Sequence, residues 1–145
     1  INPKWVVRLG KKIQRQRRAK ARSKTLEGLL FFARRNWRSS HQYLSKGMAD
    51  DDATVVNYLA AAWSAHELGE KEQWQQCLDD AEAQFPLARS TINFVRAQLL
   101  FKSNQLEQCL AILEQMRKNS VNDNSLLDLL EKAISVFSND NILQS

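Results

Sequence analysis

Two histidines, His41 and His66, and two cysteines, Cys77 and Cys109, are the side chains of this 145-residue chain best suited to nucleophilic, redox or metal chemistry. The histidines fall in different segments with no HxxxH spacing, and 31 residues separate the cysteines, so neither pair has metal-ligand or dithiol geometry. There is no glycine-rich phosphate loop. Nucleophile, base and orienting group cannot be assembled, so no catalytic residue, metal or cofactor is expected, and both cysteines read as small core hydrophobes. Asp50-Asp51-Asp52 is the densest oxygen cluster. It lacks the alternating ligands and closing glutamate of a calcium loop, which leaves a solvated loop whose Asp52 is expected to cap the next helix.

The remaining chemistry is electrostatic and apolar. Residues 1–38 carry thirteen Lys or Arg against Glu27 alone, whereas the rest of the chain carries eight against fifteen. The positive charge therefore belongs to an arm, from Trp5 and Arg8 through Lys11, Lys12, Arg15, Arg17, Arg18, Lys20 and Arg22. Read by itself, the segment 11–22 has basic residues at nearly every helical angle and no apolar stripe, so as a helix it must lead into a packed element or lie against something acidic.

Composition and periodicity supply the elements that position these groups. A hydrophobic fraction of 43%, with only four glycines and two prolines, favours a mostly helical chain. No run approaches the roughly eighteen apolar residues of a membrane span. Apolar spacing predicts helices over 25–35, 36–48, 54–68, 71–84, 90–102, 105–118 and 125–137. The turns within successive pairs, at Arg35-Asn36, Gly69-Glu70 and Asn104-Gln105, recur at spacings of 34 and 35 residues. That period belongs to two-helix solenoids.

In this register Gly28, Ala62 and Ala97 share one column, Leu44, Leu78 and Leu113 another, and Pro86 ends the middle unit. The pattern resembles the tetratricopeptide repeat. Trp74 stands where that motif prefers alanine, with Ser40 and Cys109 at the matching places, so local repacking is expected there. The expected fold is an all-α, tetratricopeptide-like right-handed solenoid of about three helix pairs (units about 23–50, 53–86 and 90–121) plus an extra C-terminal helix (124–145). A basic arm, 1–22, precedes it.

The order of features is more specific than the repeat. A Lys/Arg-rich arm, a helix opening at Ser23-Lys24-Thr25, the stretch Val55-Val56-Asn57-Tyr58-Leu59-Ala60-Ala61-Ala62 and a Gly69-centred turn together resemble the amino-terminal cytosolic part of the HemY family. The resemblance runs from about Trp5 to Phe137. It implies a tetratricopeptide-repeat protein of the Gram-negative inner membrane, associated with haem biosynthesis, with two membrane helices before the arm and further repeats after it. The chain, which starts at Ile1 and ends in a helical pattern, is then expected to be a piece of a longer protein lying on the cytoplasmic side.

A solenoid works by presenting a surface, and the first helix of each pair lines its concave side. The residues expected there are Leu29, Phe32 and Ala33; Val56, Leu59, Trp63, His66 and Glu67; and Thr91, Phe94, Gln98, Phe101 and Lys102. So many rings on a partly wet face predict a groove for an apolar helix or extended peptide, with Trp63 and Phe94 facing one partner. The competing explanation is that these rings pack laterally between repeats or are covered by further repeats of a longer protein. The groove lacks the Lys and Asn pattern that clamps a chain-terminal carboxylate. The arm is expected to meet anionic lipid, with Trp5 at the headgroups; nucleic-acid binding and a merely solvated or self-associating helix are the other two readings, the former disfavoured for want of a recognition element. The expected function is a non-catalytic membrane-anchored adaptor for other proteins, by resemblance enzymes of haem (porphyrin) biosynthesis. A haem- or porphyrin-binding carrier, ligated by His66 or Cys77, is the alternative.

Overall fold

The computed structural model describes residues 4–48, 53–119 and 123–144. They form seven α-helices and one 3-10 turn: α1 Lys4–Ala33, α2 Trp37–Gly47, α3 Val55–Glu67, α4 Lys71–Gln84, the turn Pro86–Ala88, α5 Arg89–Lys102, α6 Leu106–Asn119 and α7 Asn124–Gln144. There is no strand among the described residues. The chain divides into two compact units, residues 1–81 and 82–145.

The three turns inside helix pairs share one backbone solution. Arg35, Gly69 and Asn104 have φ of 59°, 76° and 59°. Each lets the next amide reach back to the carbonyl five residues earlier, Asn36 to Phe31, Glu70 to Ala65 and Gln105 to Leu100, all at 2.9 Å. Carbonyls left open at the helix end are thereby satisfied, and the chain reverses into the second helix. Glycine adopts this conformation freely and asparagine tolerates it; arginine does so at a cost of about 1 kcal/mol.

In the unit of residues 1–81, α1 is a single helix about 45 Å long. No helix start occurs at Thr25: the arm is rich in Arg, Lys, Gln and Ala, all good helix formers, and Ser23 has no chain break to cap. Close approach to α2 depends on Gly28, where a Cβ would lie 2.7 Å from the Leu44 Cγ. Ser40 Oγ donates to the Gly28 carbonyl at 2.9 Å, and Asn57 Nδ2 to the Leu44 carbonyl at 2.7 Å. Thr25 Oγ1 donates to Asn57 Oδ1, so one fully buried amide joins α1, α2 and α3. Trp74 is 2% exposed and stacks its edge on His66, a bulkier solution than a small residue at that column would need. Helix α3 is entered from Thr54 without a side-chain cap. The expected Asp52 cap lies outside the described residues.

The unit of residues 82–145 is filled with hydrocarbon. Ile92, Leu99 and Leu100 of α5 are buried, as are Leu106, Cys109 and Leu113 of α6 and Leu126, Leu130 and Ala133 of α7. Cys109 Sγ lies 3.3 Å from the Ala97 carbonyl, the same contact that Ser40 makes to Gly28. The 3-10 turn that Pro86 opens brings α5 in at Arg89. Helix α7, capped by Asp123 accepting from the Leu126 amide, runs on to Gln144, past the expected end at Phe137.

Candidate functional site

The turn at Arg35 builds a site at the tip of the first helix pair. Phe32 and Ala33 close α1, Trp37 opens α2, and the reversal between them brings the Phe32 and Trp37 rings edge to face, with centroids 5.2 Å apart. Asn36 fixes the entry to α2 by accepting from the Ser39 amide. Trp63 from α3 completes an open cleft of about 490 Å³ lined by Phe32, Ala33, Arg35, Trp37 and Trp63. Its rings are half-buried, and Arg35 is exposed at its rim. An apolar floor with one cation at the edge suits an apolar side chain followed by a carboxylate.

Of the expected groove residues, Phe32 and Trp63 meet in this cleft. Leu59 is half-buried elsewhere on α3, and Val56 is 52% exposed. Phe94, Gln98 and Phe101 are half-buried along α5. That unit's polar cleft, of about 660 Å³, holds Arg89 and Arg96, both bound to Glu82 at 2.9 and 3.1 Å. Sequence reasoning missed Trp37 and Arg35. The available signal was position: the first residue of a second helix must fold back over the last turn of the first.

The candidate haem ligands do not fit that role. The His66 side chain is 12% exposed, with its ring packed on Trp74 at 5.7 Å and Nδ1 3.8 Å from the Glu67 carboxylate. Burial, with a smaller contribution from the Asp80 carboxylate, pushes the Cys77 thiol up to about 11; burial does the same to Cys109. A ligating thiolate is thus disfavoured at neutral pH. Among the described residues no group of His, Cys, Asp or Glu is gathered as a metal site.

The basic arm is the first half of α1. Trp5, Arg8, Lys11, Lys12, Arg15, Arg17, Lys20 and Arg22 are exposed, and Arg18 is partly covered. Among the described residues no helix is long and apolar enough to cross a membrane.

Comparison with known proteins agrees with this architecture. No curated protein matches the chain. Among solved structures, the first tetratricopeptide domain of Spaghetti (RPAP3), bound to the HSP90 peptide SRMEEVD, aligns with a TM-score of 0.66 at 18% identity, covering 83% of this chain and 97% of that one. The Arabidopsis OM64 tetratricopeptide domain aligns with a TM-score of 0.65 at 10% identity, covering 81% and 96%. The fold is a tetratricopeptide-like helical solenoid. Residues 4–69, which hold the arm, the aromatic cleft and the Asn57 junction, match the family described as HemY protein N-terminus.

Proposed function

We propose that the chain is the non-catalytic adaptor part of a protein anchored at the bacterial inner membrane, facing the cytoplasm and holding other proteins through the cleft of Phe32, Trp37 and Trp63. The observation that carries this reading is the cleft itself: three half-buried rings converge beside an arginine held in a left-handed conformation. The equivalent turns use Gly69 and Asn104, so Arg35 keeps its charge at a position that costs stability, as residues at functional sites often do. The segment bound is an apolar helix or extended peptide carrying an acidic side chain. The family points to enzymes of haem (porphyrin) biosynthesis as its owners. The basic residues from Arg8 to Arg22 attract the anionic lipid beside which the adaptor works.

Calorimetric titration of purified haem-pathway enzymes into this chain tests the reading. Trp63→Ala is expected to weaken binding at least about tenfold with the helical circular dichroism unchanged, since aromatic anchors carry much of an interface's energy. Binding that ignores both Trp63→Ala and Phe32→Ala rules the cleft out. The carrier alternative requires a saturable Soret shift on titration with hemin that falls in His66→Ala; such a result would reverse the ranking.

A further inference from the structure

Helix α1 turns an apolar row away from the core of its own unit. Ala21, Thr25 and Gly28 mark its inward side. At about 100° per residue, Trp5, Leu9, Ala19, Ser23, Leu26 and Leu30 fall on the opposite side, within an arc of about 100°. Trp5 is 67% exposed, Leu9 51%, Leu26 65% and Leu30 60%. A surface helix in water carries polar groups there. Leu26 and Leu30 lie beyond the basic arm, so the face is apolar at both ends of the helix, with Lys12, Gln16, Ala19 and Ser23 on the same arc between them. The only charges interrupting it are Arg8, Lys12 and, at its edge, Glu27.

Charge selects what covers this row. Helix α1 carries ten Lys or Arg and one acid, so a second copy would set ten cations against ten, with Lys12 inside the seam. An anionic lipid surface complements the same pattern. It accepts apolar side chains along a straight helix, and Arg8 and Lys12 can bend their heads back to the phosphates while their stems lie on hydrocarbon. We propose that α1 lies lengthwise in the plane of an anionic membrane, with Trp5, Leu9, Leu26 and Leu30 inserted below the headgroups. The proposal rests on the membrane-surface reading of the arm. It goes beyond that reading in making the contact hydrophobic as well as electrostatic, and in extending it to Leu30.

The test is co-flotation of the whole chain with vesicles of equal parts phosphatidylglycerol and phosphatidylcholine. The wild type is expected to bind, to weaken with added salt, and to keep a bound fraction at about 0.5 M, where charge attraction is screened to a few Å. Leu26→Gln with Leu30→Gln should lower the partition coefficient at least about tenfold and remove the salt-resistant fraction. Both side chains are exposed, so the fold should survive, as circular dichroism would verify. Brominated phosphatidylcholine should quench tryptophan emission in the wild type and less in Trp5→Leu. Equal binding by the double variant overturns insertion while leaving the electrostatic reading standing; no binding by the wild type removes both. Self-association in solution that the double variant abolishes would assign the row to a second copy instead.

Discussion

Residues 1–81 and 82–145 reverse their helix pairs by the same turn and fill the interior behind it differently. Asn57 in the first unit corresponds to Ile92 in the second, 35 residues on, and both are fully buried. Asn57 donates to the Leu44 carbonyl and accepts from Thr25, while Ile92 offers only hydrocarbon. Ser40 and Cys109 make the equivalent contact to Gly28 and Ala97, one through a strong donor and the other through a weak one. The repeat geometry therefore tolerates either filling. The hydrogen-bonded one is the more demanding, because each buried group needs its particular partner. That demanding unit also carries the family match and the aromatic cleft.

The largest expected effect comes from overfilling the shared column. Ala62 is completely buried where helices approach, so Ala62→Trp should cost more than about 3 kcal/mol and abolish a cooperative melt of residues 1–81. Glu70→Ala, at the neighbouring turn, should stay within about 0.5 kcal/mol. Similar melting temperatures for the two would mean that the 34-residue register is misplaced.

Exchanging the fillings comes next. Ile92→Asn buries an amide in hydrocarbon and should cost about 3 kcal/mol; Asn57→Ile strands the Leu44 carbonyl and should cost about 2 kcal/mol in denaturant titrations. If both swaps are harmless, the polar junction is decoration.

Titration gives each unit its own reporter. Cys77 and Cys109 hold their protons up to about 11, against 9.0 when unfolded. The stability linked to each thiol is complete below pH 9 and lost as pH rises toward 11, because the unfolded chain releases its proton first; the loss is roughly 2 kcal/mol per thiol. Urea melts of Cys77→Ala and Cys109→Ala should each lack one such contribution, and a stability flat from pH 8 to about 11 in the wild type would refute the burial argument.

A smaller effect, of opposite sign, is expected at the left-handed turns. Arg35→Gly should stabilise by about 0.5–1 kcal/mol while weakening partner binding, whereas Gly69→Arg should destabilise by about 1 kcal/mol. Stabilisation without any loss of binding would remove Arg35 from the site.

Much of this architecture was legible in the sequence because turns and small residues carry local signals. The positions of Arg35, Gly69 and Asn104, the column Gly28, Ala62 and Ala97, and the range of α4 are all set by short-range chemistry. Other features depended on context. The segment 11–22 taken alone hides the apolar row, which emerges only when α1 starts at Lys4 and continues past Leu30. Asn57 sits in the stretch that resembles HemY most closely, yet its bonds reach back 13 residues to Leu44 and 32 to Thr25, contacts that periodicity does not encode. Trp37 joins the cleft through the turn geometry, although its helix was assigned away from the groove.

The central claim, that the aromatic cleft holds a protein partner, is tested most directly by affinity purification of the full-length protein from bacterial membranes, wild type against Phe32→Ala/Trp63→Ala. The wild type should bring down haem-biosynthesis enzymes, and the variant should recover at least about tenfold less of them, or 1.4 kcal/mol, at equal expression and unchanged helicity. Equal recovery by both proteins would contradict the account.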